Sequence, residues 1–151
     1  MSQPDGNLFA RQPLKLEDKV TMPDERTRSI RWGGELLAAI ANDLEIDEIT
    51  RGAALRLLTP YPTPEQIFRW IEDGVFCLPS DAAESLAAAA ELFNRLQFSR
   101  QGTSETRHDL MYTRRHFPGA QDALAWGRGA RQFSIRTWLM PDDSYSGGPP
   151  P

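Results

Sequence analysis

The segment opening at Leu78-Pro79-Ser80-Asp81 repeats, 56 residues later, the segment opening at Met22-Pro23-Asp24-Glu25. The register holds without a gap to Trp126. It pairs Pro23 with Pro79, Ser29 with Ser85, Glu35-Leu36 with Glu91-Leu92, Thr50-Arg51 with Thr106-Arg107, Tyr61-Pro62 with Phe117-Pro118 and Trp70 with Trp126. A fixed period of this length defines the unit that folds, and a unit so short buries too little surface to stand alone. The chain therefore reads as two copies of one small helical module that share a core.

Apolar residues recur at helical spacing in both copies. The first copy gives helices over about 24–42, 47–58 and 64 to the residue before Gly74; the second gives about 80–98, 104–115 and 120–129. Ile30, Gly33, Leu36, Leu37 and Ile40 mark one face of the first helix. A glycine pair, Gly33-Gly34, costs about 1 kcal/mol per residue inside a helix, so close packing of another helix is the reason to keep it. Its counterparts, Ala89-Ala90, are also small. Thr63-Pro64-Glu65-Gln66 has the form of a capping box with proline at the first helical position. Alternate prolines at 60, 62 and 64 make the preceding connection stiff.

The fold expected is all-α: helical unit 1 over 21–76 and helical unit 2, with a C-terminal extension, over 77–140. Residues 1–20 and 141–151 sustain no period and read as disordered tails. Within the extension, the run Gln132 to Met140 fits a short strand near 133–139, yet Phe133, Arg136 and Leu139 also fit a helix; short runs do not decide. Met140-Pro141-Asp142-Asp143 echoes the opening of the repeat.

Composition narrows the class. One cysteine, Cys77, excludes an internal disulfide framework and reads as a small packing residue. No apolar run approaches the roughly 20 residues that span a bilayer, and the first residues lack a secretory signal. With 15 Arg against 2 Lys, these features suggest a cytoplasmic bacterial protein. Net charge is −4, but eleven acids and three arginines lie between Glu35 and Glu91, whereas eight arginines and three acids lie between Arg95 and Arg136. Such asymmetry predicts one acidic and one basic surface.

The stretch Thr21-Met22-Pro23-Asp24-Glu25-Arg26-Thr27-Arg28, with Leu57-Leu58-Thr59-Pro60-Tyr61-Pro62 further on, resembles a family of short uncharacterised proteobacterial proteins. They open with a similar MPDERTR segment and close their unit with an LLxxYP-type turn. The likeness covers residues 21–66. It implies a small helical bacterial protein and carries no functional residues over.

Chemical signatures are absent. His108, His116 and Cys77 are too scattered for the paired spacing of a metal site, no nucleophile elbow is present, and Gly127-Arg128-Gly129 lacks the strand and longer pattern of a phosphate loop. No catalysis, metal or cofactor is expected. Trp70 and Trp126 read as packing anchors against Tyr61 and Phe117. Trp32 and Trp138 have no such partner and mark interface centres. Arg107, Arg114, Arg115, Arg128, Arg131 and Arg136 form a candidate basic patch, with Arg114-Arg115 as its contact edge. The expected function is a small non-enzymatic interaction or regulatory module for a protein partner, with Asp43-Glu45-Asp47-Glu48 as an acidic run that imitates nucleic acid. The alternative is a nucleic-acid-binding regulator that uses the arginine-rich second unit.

Overall fold

The computed structural model describes residues 21–129 and 132–142. Six helices occupy these residues: α1 (Pro23–Ala41), α2 (Glu48–Leu58), α3 (Pro64–Asp73), α4 (Ser80–Ser99), α5 (Ser104–His116) and α6 (Ala120–Gly127). The chain is all-α, and the described residues contain no strand. Where a strand was one reading of the extension, a single 3-10 turn forms at Ile135–Thr137. Ser134 caps that turn by accepting from the Arg136 N–H at 3.1 Å, a local bond that competes with extended backbone. The tail expected at 1–20, all but the first two residues of the tail expected at 141–151, and Ala130 and Arg131 lie outside the described residues.

Local chemistry accounts for the helix ends. Thr63 accepts from the Gln66 N–H at 3.1 Å and Gln66 accepts from the Thr63 N–H at 2.9 Å, which completes the capping box before α3. Gly74 ends α3 in the left-handed region at φ 62°, where a Cβ is strained. Asp47 caps α2 through Thr50, and Thr103 caps α5 through Thr106. Asp47 and Thr103 stand at equivalent places in the period, so the loops before α2 and α5 end in the same way.

Packing follows the period less closely. α4 lies along α6, while α1 makes no comparable contact with α3; α1 packs instead against α2 and α5. One cluster gathers Ile30, Leu37 and Ile40 from α1 with Leu86, Phe93 and Leu96 from α4, so both halves share a single interior. Gly33 and Gly34 mark a close approach, but two turn aromatics make it where another helix was expected. A Cβ on Gly33 would stand 2.3 Å from the Tyr61 hydroxyl and 2.6 Å from Phe117 Cε1. Tyr61 enters this gap and donates its hydroxyl to the Ile30 carbonyl at 2.6 Å, and burial raises its pKa well above the ordinary value. Phe117 meets Phe93 edge-on at 5.2 Å. The two turn aromatics of the repeat thus converge on one place between α1 and α4.

The C-terminal extension is part of the core. Trp138, expected at an exposed interface, retains 7% exposure, and its ring stacks on Trp126 at 5.2 Å. Trp126 therefore anchors against Trp138, where Phe117 was the expected partner. Arg26 lies over the Trp138 ring and donates to its carbonyl at 2.6 Å. Asp142, assigned from sequence to a disordered tail, is buried and receives Arg31 at 2.5 Å. The Met140 N–H donates to Thr27 Oγ1. The aromatic stack thus docks Trp138 on α6, Arg26, Thr27 and the buried Arg31–Asp142 pair dock residues 138–142 on α1, and the folded structure reaches at least to Asp142.

Candidate functional site

Helix α5 has one buried edge and two flanks. Thr106, Leu110 and Thr113 recur at spacings of four and three and face the core. Its N-terminus is fixed from outside: Asp43, in the loop after α1, accepts from the Thr103 N–H at 2.9 Å and its hydroxyl at 3.2 Å. Burial would raise the Asp43 pKa, but hydrogen bonds from Thr103, Thr106 and Glu45 outweigh it and hold the carboxyl below its usual value. At the other end His116 lies 3.6 Å from Glu25, tying the last turn of α5 to the first turn of α1.

The flank toward α1 forms a groove of about 260 Å³ walled by Trp32, Glu35, Asp109 and Tyr112, with Leu36 and Thr113 between the helices. Trp32 is half-buried, and Tyr112 remains 45% exposed with the His108 ring 4.7 Å away. The flank toward α4 forms a second groove of about 280 Å³. Leu96, Leu110 and Met111 line it, and Arg100, Arg107 and Arg114 stand around it. Met111 is 57% exposed. Arg100 closes α4 in the left-handed region at φ 60°, a conformation that costs a residue with a Cβ about 1–2 kcal/mol.

Other arginines of the proposed patch are placed differently. Arg114 donates to Asn94 at 3.0 Å across the α4–α5 crossing, and Arg115 and Arg128 are exposed. Arg136 is exposed but engaged by the backbone of α3. Its guanidinium donates to the carbonyls of Ile71 and Glu72 at the end of α3, so it serves as a helix cap and not as part of a basic surface. Arg107, already part of the candidate patch, and Arg100, which sequence reasoning passed over, complete the row with Arg114. Arg107 and Arg114 are two turns apart on one helix, a spacing visible in sequence; that Arg100 joins them depends on how α4 meets α5.

The acidic run is also divided. Asp43 is buried under Thr103, and Asp47, although exposed, is engaged as the cap of α2; Glu45 and Glu48 are the other exposed charges of the run. Cys77 is exposed, and its thiol donates to the Gly127 carbonyl, contrary to the packing role expected for it. Among the described residues, no three His, Cys, Asp or Glu side chains are grouped to hold a metal ion. No helix among them is long and apolar enough to cross a membrane.

In comparisons with known proteins, the chain matches no family model, no curated protein and no solved structure. Its own geometry is therefore what bears on function.

Proposed function

We propose that this chain is a small non-enzymatic helical module that binds a protein partner through α5 and the adjoining edge of α1. The observation that carries this reading is the pairing of half-buried Trp32 with exposed Tyr112 across the α1–α5 groove. Tryptophan and tyrosine concentrate binding energy at protein interfaces, because a rigid ring covers much area at little entropic cost. Here both are held by a helix crossing and not by a loop, which favours a preformed contact surface.

Two variants lose support. Imitation of nucleic acid by the 43–48 acids is weakened because Asp43 and Asp47 are engaged in capping. Nucleic-acid binding by the second-half arginines loses Arg136 to the end of α3.

The test is affinity capture from the native host with the tag at the N-terminus, in parallel with and without nuclease. A stoichiometric protein that survives nuclease and is lost with Tyr112→Ala, while the circular dichroism spectrum is unchanged, supports the reading. Recovery that disappears with nuclease refutes it in favour of nucleic acid. Capture unaffected by both Tyr112→Ala and Trp32→Ala moves the contact surface elsewhere.

A further inference from the structure

The α4–α5 groove differs in chemistry from the aromatic one. Its sides carry three guanidinium groups and no carboxylate. Among the described residues, Arg100 and Arg107 form no ion pair. Its floor is apolar, with Leu96 and Leu110 beneath and the flexible thioether chain of Met111 between Arg107 and Arg114. Methionine adapts its shape to an incoming apolar surface, and a floor of this kind is common where a helix is received in a groove. With 13 residues, α5 runs for about 20 Å, which matches a segment of about four helical turns laid alongside it.

From this combination we infer that the α4–α5 groove receives an acidic amphipathic helix of a partner protein. The leucine face of the helix rests on Met111, Leu110 and Leu96, and its carboxylates meet Arg107 and Arg114 along one edge and Arg100 at the end. Arg107 and Arg114, seven residues apart, match two acids at the same spacing on the incoming helix. A nucleic acid would use the guanidinium groups but gain nothing from the methionine, since the aromatic that could stack on a base, Tyr112, lies on the opposite flank. The charge of the groove also sets direction: the other side of α5 presents Glu35 and Asp109, which repel the same acidic segment. This inference rests on the interaction-module reading and names the partner's chemistry at a separate groove, so the two can fail separately.

The experiment uses the full chain and fluorescence anisotropy. Its probes are a labelled Leu/Glu peptide of about four helical turns with leucine at amphipathic spacing, a scrambled peptide of identical composition, and single- and double-stranded DNA oligonucleotides. The ordered peptide is expected to bind at least about tenfold tighter than the scrambled one, with Arg107→Glu and Met111→Gln each weakening it by about tenfold. Arg107 and Met111 are exposed, so circular dichroism should be unchanged in both variants. Equal binding of ordered and scrambled peptides overturns the inference, as does peptide binding that ignores both substitutions. Tighter binding of DNA, sensitive to Arg107→Glu and insensitive to Met111→Gln, overturns it in favour of phosphate recognition. If capture of the native partner needs Tyr112 while the acidic peptide fails to bind, this inference falls and the interaction-module reading stands.

Discussion

Adding one methyl group to Gly33 or to Gly52 should change stability in opposite directions. Both glycines lie inside helices, where alanine is favoured over glycine by about 1 kcal/mol. At Gly52 the nearest atom to a new Cβ is the Arg56 guanidinium at 3.5 Å, an ordinary contact, so Gly52→Ala should stabilise by about that amount. At Gly33 the new Cβ would lie 2.3 Å from the Tyr61 hydroxyl, and normal contact needs about 3.5 Å. Tyr61 would have to retreat by about 1.2 Å, which breaks its bond to Ile30, worth about 1 kcal/mol. Moving a buried ring in a packed core adds about 1–3 kcal/mol, and Phe117 blocks the other side. Against the helical gain, Gly33→Ala should destabilise by about 1–3 kcal/mol, leaving the two variants about 2–4 kcal/mol apart. Urea unfolding followed by far-ultraviolet circular dichroism measures this as opposite shifts of the midpoint at constant slope. If Gly33→Ala stabilises as much as Gly52→Ala, the aromatic crossing on α1 is not as close as described and the reasoning fails.

Two further perturbations test the buried polar groups. Tyr61 is held neutral in the fold, while an unfolded tyrosine ionises near pH 10. Unfolding therefore releases a proton above that pH, so the Tyr61 contribution is complete below about pH 10 and is lost as pH rises beyond it. Tyr61→Phe should flatten the alkaline fall in unfolding free energy relative to the parent chain, and identical slopes would contradict the burial. Asp142→Ala leaves Arg31 without its 2.5 Å partner and should cost about 3–5 kcal/mol in thermal or urea unfolding. In an Arg31→Met background the same change should cost much less, and additive losses would exclude the pair as the cause.

The helices were legible because their causes are local. The Thr63–Gln66 box, Pro64 at the first turn and Gly74 after the last turn act within a few residues, and the structure has α3 where they put it. The small residues at Gly33-Gly34 also gave a tertiary inference that holds for the close approach, because a missing Cβ implies something close by, but not for the helix expected to make it. What failed depends on distant partners. Nothing in the spacing near Trp138 shows that Trp126 lies beneath it, and the buried pair joins residues 111 positions apart. One signal was present: the Met-Pro-Asp echo at 140–142 placed ordered-segment chemistry inside a presumed tail. At the candidate site, Trp32 was visible as an aromatic without a partner in the repeat, and Arg107 and Arg114 as members of a basic patch. Arg100 was not, because periodicity says nothing about which two helices make a groove.

Residues 138–142 close over α1 only after all six described helices have been made. About 100 residues separate the end of α1 from Asp142, so at about 5–20 residues per second α1 waits roughly 5–20 s during synthesis for its final cover. Through that interval Arg26 and Arg31 have neither the Trp138 ring nor the Asp142 carboxylate that they meet in the finished fold. A nascent chain stopped at Thr137 would carry all six helices and still lack the contacts that complete the α1 surface. Completion of the α1 surface thus waits for synthesis of residues 138–142, and products cut short before them would be marked for proteolysis by the open α1 face.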